Sequence, residues 1–436
     1  MTDRLRGWLK GSQRRRESRT INPVSSWSTR LLSAVVVTLL SALLLTPAAT
    51  AKSDQCSYRP LPPPPVDSSE VPKPGEPSPS PLPVPETPPG GERMAECGHV
   101  LPDDAKRPKG KITAKAWLLA DLDNGTVIAA KNPHGRYRPA SLIKVLLALA
   151  VVKELDPDDV ITASDADMAQ ECSCVGVVKG QDYTVDKLFT SMLLRSGNDA
   201  AHALGSALGG NDEALATMNE LAADLGAVDT RAATTSGLDG PGMTTSAYDL
   251  ALIFRAAMAE PRFADAVATY EMKFKRREHK RPITIYNDND LLREYPGFLG
   301  GKTGYTNDAR HTYVGAAERG GRRIAVVMLR AEQRPMRVTD QAKRLLNYGF
   351  RLSRQDFEPV GTLVEPEAEQ DVDLPPTEQA ELDAIPDSEP TTDTTAAVTQ
   401  EAATEGPGGV TREIVVLVLI AAALITVIVL HRRRRR

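Results

Sequence analysis

Three short groups of residues could carry acyl chemistry in this chain: Ser141-Leu142-Ile143-Lys144, Ser196-Gly197-Asn198 and Lys302-Thr303-Gly304. Ser141 follows Pro139, which can start a helix but not continue one, and precedes an apolar run over residues 145–152. That order predicts a buried helix with Ser141 in its first turn, where unpaired N–H groups and the positive end of the helix dipole gather. Lys144, three residues on, then shares a face with the serine hydroxyl. An amine in an apolar wall is pushed toward its neutral form and can take the serine proton. Ser141 is thus a candidate nucleophile and Lys144 its candidate base. A lone S-x-x-K is a weak signal; a capping serine beside a snorkelling lysine is the ordinary alternative.

The 436 residues carry a net charge of −4, yet the charge is segregated. Arg4, Arg6, Lys10, Arg14, Arg15, Arg16, Arg19 and Arg30 precede an apolar run over 31–45, and Ala49-Thr50-Ala51 follows it. This is the pattern of a secretory signal peptide cleaved after Ala51, its apolar run short of the ~20 residues that a membrane span needs. Residues 414–430 are seventeen without a charge, closed by His431 and the arginines 432–436. That is the lower limit for a transmembrane helix, with the arginines on the cytoplasmic side. The two ends predict a single-pass membrane protein with its globular part outside and a short basic tail inside. Export permits disulfides among Cys56, Cys97, Cys172 and Cys174, whose pairing the spacing leaves open.

Composition divides the chain into a signal peptide (1–51), a proline-rich linker (52–96), a folded domain (97–356), an acidic stalk (357–412), a transmembrane helix (413–431) and a basic tail (432–436). Fourteen prolines between Pro60 and Pro89 read as an extended spacer. Residues 356–410 hold fifteen Asp and Glu and no Lys or Arg, a self-repelling disordered stretch. Between them, two apolar runs around Asp123-Asn124-Gly125 predict a β-hairpin. Helices are expected over 184–194, 199–208, 212–225, 245–258 and 341–350, and a late hairpin over 312–317 and 323–329 around Gly320-Gly321. An early hairpin and late strands bracketing a helical middle give one α+β domain, an antiparallel sheet flanked by helices with an all-helical subregion.

The three motifs stand in order within one exported domain, the set found in penicillin-binding proteins and class A β-lactamases. Longer runs agree: Tyr183-Thr184-Val185, Leu194 through Ala201, Ser236-Gly237-Leu238-Asp239, Met243 through Leu250, and Leu291 through Pro296 followed by Gly300 through Thr306. Over about residues 100–350 the chain resembles the low-molecular-mass penicillin-binding proteins that are serine-type D-alanyl-D-alanine carboxypeptidases. The resemblance implies a β-lactamase/transpeptidase-like fold and removal of the terminal D-alanine from peptidoglycan stem pentapeptides through an acyl-enzyme on Ser141. It also implies covalent binding of β-lactam antibiotics, and would make the membrane a bacterial cell membrane. By resemblance, Ser196 relays a proton to the leaving amine, Asn198 bonds the substrate backbone, and Lys302 with Thr303 grips the terminal carboxylate. The backbone N–H groups of Ser141 and Tyr305 would form the oxyanion hole, and Gly304 lets its strand approach the substrate. Tyr305 departs from the histidine frequent there in relatives.

Two rivals are weighed. A class A β-lactamase deacylates with a glutamate beyond the S-x-N motif, but none occurs over 221–259, and the motif reads Ser-Gly-Asn rather than Ser-Asp-Asn. Slow release of penicillin is expected instead. A catalytically silent sensor of wall fragments or β-lactams is disfavoured because all key side chains are present. No G-x-S-x-G supports a different serine triad. Six scattered histidines and no paired C-x-x-C give no metal site; no cofactor and no nucleic-acid partner is expected. His134 and His311 read as structural histidines, Tyr248 and Asp249 as packing and capping residues.

Overall fold

The computed structural model describes residues 59–276, 279, 281–355 and 358–365. The expected signal peptide, transmembrane helix, basic tail and most of the acidic stalk lie outside them. Among the described residues no helix is long and apolar enough to cross a membrane.

The strands are β1 (His99–Val100), β2 (Ala116–Asp121), β3 (Thr126–Lys131), β4 (Val160–Thr162), β5 (Asp182–Thr184), β6 (Glu271–Phe274), β7 (Ile283–Tyr286), β8 (Phe298–Thr306), β9 (Arg310–Arg319), β10 (Arg322–Ala331) and β11 (Gly361–Thr362). The longer helices are α1 (Lys144–Glu154), α2 (Val185–Arg195), α3 (Asn198–Ala207), α4 (Asn211–Asp224), α5 (Ala247–Ala259), α6 (Pro261–Ala268) and α7 (Val338–Leu352). A seven-stranded antiparallel sheet runs β1-β3-β2-β10-β9-β8, with β11 also on β3. Both hairpins form where their turns predicted, β2 on β3 and β9 on β10.

Period-two alternation sorts the sheet side chains onto two faces. Leu118, Ala120, Val314 and Val327 join the core under α1, α2 and α5, while Trp117, Leu119, Tyr313 and Met328 face Leu345 and Leu346 of α7. The sheet is therefore covered on both sides, with the helical subregion against one. Thr184 and Ser246 cap α2 and α5 through their hydroxyls, as Ser/Thr at these positions should.

Two boundaries differ from expectation. Residues 60–89 do not stand off as a spacer; they strap the body. Apart from two short turns, Val71 N–H to Ser68 and Glu76 N–H to Lys73, this proline-rich backbone leaves its carbonyls open to donors from elsewhere. Arg136 donates to the carbonyls of Leu82 and Pro83, Arg138 to that of Pro63 and Arg231 to that of Ser80. At the other end the domain runs past residue 356: β11 pairs with the outer edge of β3, and Val360 and Leu363 are buried. These two apolar residues dock the acidic stretch together with backbone bonds from Val360 to Val127 and from Leu363 to Gly125. The β6–β7 hairpin had no prediction, since its partners are joined by a charged loop rather than a tight turn.

Candidate active site

The nucleophile segment opens with a single 3₁₀ turn, Ala140–Ile143, and α1 begins at Lys144. Ser141 is thus one turn ahead of the α-helix rather than inside it. Ala140 enters this turn at φ 50°, a left-handed value that a non-glycine residue adopts only where its surroundings over-determine it. Those surroundings are visible. Thr312 of β9 donates to the Pro139 carbonyl at 2.8 Å, and glycines press on the turn from both sides. A Cβ at Gly304 would lie 3.0 Å from the Ser141 nitrogen, and one at Gly237, where φ is +83°, would overlap the Ala140 carbonyl.

Lys144 is fully enclosed. Its Nζ donates to Ser141 Oγ at 3.1 Å and to Asn198 Oδ1 at 2.8 Å, and also to the Ser236 carbonyl. Burial first, then the positive charge of Lys302, holds the Lys144 amine well below the ordinary lysine range; Asp199 and Asp288 pull the other way. Lys302, also buried, donates to the Thr303 carbonyl at 2.7 Å, and burial lowers it too against the pull of Asp288. Thr303 Oγ1 reaches Asp288 Oδ1 at 3.4 Å.

The second motif sits at the junction of two helices. Ser196 closes α2 at φ 61°, and Asn198 opens α3. Asn198 is gripped by the loop before it: its N–H donates to the Ser173 carbonyl at 2.7 Å and its Nδ2 to that of Glu171 at 2.6 Å. That loop is closed by a disulfide between Cys172 and Cys174, and Cys97 is disulfide-bonded as well. Asp199 holds the following stretch by accepting the N–H groups of Val175, Gly176 and Val177.

A cleft of about 660 Å³ brings Ser141, Ser196, Asn198, Thr303, Gly304 and Tyr305 to one surface. Lys144 and Lys302 lie buried, and their bonds join them to it. All eight residues expected from the sequence therefore converge. A serine hydroxyl bonded to an amine of depressed basicity, beside a second cation, can attack an acyl group and grip an anion.

Several contributors were not foreseen. The Ser236 carbonyl carries no side-chain signal, although Ser236-Gly237 was part of a noted run. Asp288 lies just ahead of the noted run that starts at Leu291 and belongs to none of the three motifs. His311, taken as structural, lines the cleft with its ring 4.6 Å from that of Tyr305. His134 is buried, with Nδ1 2.8 Å from Asp229 Oδ2. The ligand atoms of His134, Asp229 and Asp249 lie within 4.8 Å of one another. Their carboxylates already accept from Arg59, Arg136, Thr230 and Ser246, so the group works as a hydrogen-bonded charge network beneath the strap. Tyr248 and Asp249 pack and cap as expected: Tyr248 donates to the Thr362 carbonyl, and Asp249 accepts from Ser246.

Comparison with known proteins agrees with this geometry. A family profile described as D-alanyl-D-alanine carboxypeptidase matches residues 103–333. The D-alanyl-D-alanine carboxypeptidase DacB2 of Mycobacterium tuberculosis is 48% identical over 246 residues, which are 56% of this chain and 84% of that one. DacD of Salmonella typhimurium, of the same description, is 34% identical over 252 residues, 55% of this chain and 63% of its own length. Among solved structures, a D-alanyl-D-alanine carboxypeptidase from M. tuberculosis superposes with a TM-score of 0.57 at 46% identity, over 60% of this chain and 99% of that one. A DD-transpeptidase from Streptomyces gives 0.52 at 28%, over 56% and 99%. The chain belongs to the D-alanyl-D-alanine carboxypeptidase family, serine peptidases of the penicillin-binding-protein fold that act through an acyl-enzyme.

Proposed function

We propose that the chain removes the terminal D-alanine from peptidoglycan stem peptides ending in D-Ala-D-Ala, with Ser141 as nucleophile. The observation that carries this reading is the buried Lys144 amine, bonded at once to Ser141 Oγ and Asn198 Oδ1 and depressed by Lys302. The neutral amine takes the Ser141 proton as Oγ attacks the penultimate carbonyl carbon. The N–H groups of Ser141 and Tyr305 stabilise the oxyanion. The C–N bond breaks, Ser196 passes a proton to the departing D-alanine amine, and Asn198 holds the substrate backbone. Lys302 and Thr303 bind the terminal carboxylate, and water then releases the peptide from Ser141. A β-lactam acylates the same oxygen.

The basic leader with its apolar run, and the charge-free stretch ahead of five arginines, support export and a single C-terminal membrane anchor. In this reading the catalytic domain works outside the cell membrane, on the wall.

The test is release of D-alanine from a stem pentapeptide, read by mass spectrometry, with labelling by a fluorescent penicillin beside it. Wild-type chain releases D-alanine and is labelled; Ser141→Ala loses both, turnover by about 10⁴-fold or more. Labelling without release would leave a binding module. Release by Ser141→Ala would displace the nucleophile.

A further inference from the structure

The strap lies outside what the family profile covers, since the matched stretch begins at residue 103. Yet two of its residues, Asp67 and Ser69, line the catalytic cleft beside Tyr305, Thr306 and Asn307. The strap is pinned on both sides of Asp67. The Val66 N–H donates to Asp308 Oδ1 at 2.6 Å in the β8–β9 turn. Arg138, itself buried, forms an ion pair with Glu70, Nη2 to Oε2 at 2.7 Å, and donates to the Pro63 carbonyl at 2.8 Å. The Ser69 N–H donates to Asp67 Oδ1 at 2.8 Å, and the Ser69 hydroxyl first and this N–H second hold the carboxylate below its usual range.

The direction of the substrate follows from the carboxypeptidase reading, on which this inference rests. With the terminal carboxylate at Lys302 and Thr303, and Ser141 packed against Gly304, an extended peptide advances along β8 by ~3.3 Å per residue. Its acyl side therefore runs toward Tyr305, Thr306 and the turn that holds Val66. This is the end of the cleft where the strap crosses.

We infer that the strap is the acyl-side wall of the substrate cleft, and that Asp67 selects stem peptides carrying a free amine on that side. The charges at this end are unbalanced. Arg138 is taken by Glu70, and Arg337, also in the lining, pairs with Asp290, Glu294 and Asp340. Asp67 and Asp239, which share the lining, form no ion pair among the described residues. Asp239 is the weaker of the two, since burial raises its carboxyl above the usual range while Thr306 and Arg138 pull the other way. A substrate ammonium would meet the Asp67 carboxylate. An acetylated amine would meet it with no charge to offer.

The test uses the full chain in detergent and two pentapeptides ending in Lys-D-Ala-D-Ala, one with a free lysine side chain and one Nε-acetylated. Wild type should favour the free amine in kcat/KM, mainly through KM, by about three- to fivefold, the size of a solvent-exposed ion pair. Asp67→Asn should bring the ratio toward one, and Asp67→Lys should invert it. No preference in wild type, or equal losses on both peptides in the variants, would overturn the inference and leave the strap a structural brace. Protection of Ser141 from fluorescent penicillin by each peptide separates the two readings. A chain that cleaves neither peptide but is protected better by the free-amine one loses the carboxypeptidase reading and keeps the acyl-side selection. One that is neither active nor protected loses both.

Discussion

Two buried lysines serving one cleft make opposite demands, and the pH profile should expose both. Lys144 works without its proton, and its depressed pKa extends the neutral form to lower pH; acylation therefore rises as pH climbs through that value. Lys302 grips a carboxylate only while protonated, and burial lowers it as well, so activity falls at a pH below the ordinary lysine value of about 10.4. Penicillin acylation rates across pH should trace a bell. Lys302→Gln should remove the falling limb at a large cost in rate. It should also move the rising limb to higher pH, because Lys144 loses the neighbouring charge that helps to depress it. A variant whose rising limb stays in place would mean that the two amines do not interact. The pair was legible in the sequence because each lysine sits in a motif with a fixed spacing. The Ser236 carbonyl and Asp288 were not: a backbone acceptor has no letter of its own, and Asp288 acts on Lys302 only once a chain reversal brings it to β8.

Elements position these residues, and the sequence announced some far better than others. The hairpins at Asn124-Gly125 and Gly320-Gly321 and the capped helices α2 and α5 were legible because turn chemistry and periodicity are local. The 3₁₀ turn ahead of α1 was not, since Pro139 marks a helix start but the tertiary contacts with Gly237, Gly304 and Thr312 decide which kind. The strap was misread for a related reason: its composition describes its own poverty of core residues and says nothing of arginines elsewhere that bind its carbonyls. The loop over residues 171–174 is the element whose action on the site can be isolated. Its Glu171 and Ser173 carbonyls hold Asn198, and the Cys172–Cys174 link closes it. Replacing both cysteines by serine should lower kcat/KM about tenfold, the effect of one misplaced polar contact. In an Asn198→Ala background the same change should cost little, since nothing is left to position. Equal losses in both backgrounds would show that the disulfide acts elsewhere than through Asn198.

At the scale of the whole molecule, the domain's end and the proposed membrane tether are separable by where the chain is cut. β11 covers the outer edge of β3, which would otherwise present unpaired backbone groups. Val360 and Leu363 are buried, and Tyr248 Oη donates to the Thr362 carbonyl and accepts from the Val364 N–H. Each buried aliphatic side chain contributes about 1.5–3 kcal/mol, an upper figure because the unfolded chain is partly collapsed. A chain ending after Glu365 keeps all of this; one ending after Gln355 loses it and strands the Tyr248 hydroxyl. For a domain of this size each kcal/mol moves Tm by about 2–4 °C, so the shorter chain should melt about 6–24 °C lower. Both should leave the membrane fraction, whereas the full chain sediments with it, since the charge-free run and its arginines lie beyond either cut. Equal melting temperatures would mean that residues 358–365 lie on the body without holding it. Sedimentation of the chain ending at Glu365 would move the tether out of the C-terminal run and into the retained part of the chain, where the basic leader and its apolar run are the remaining anchor.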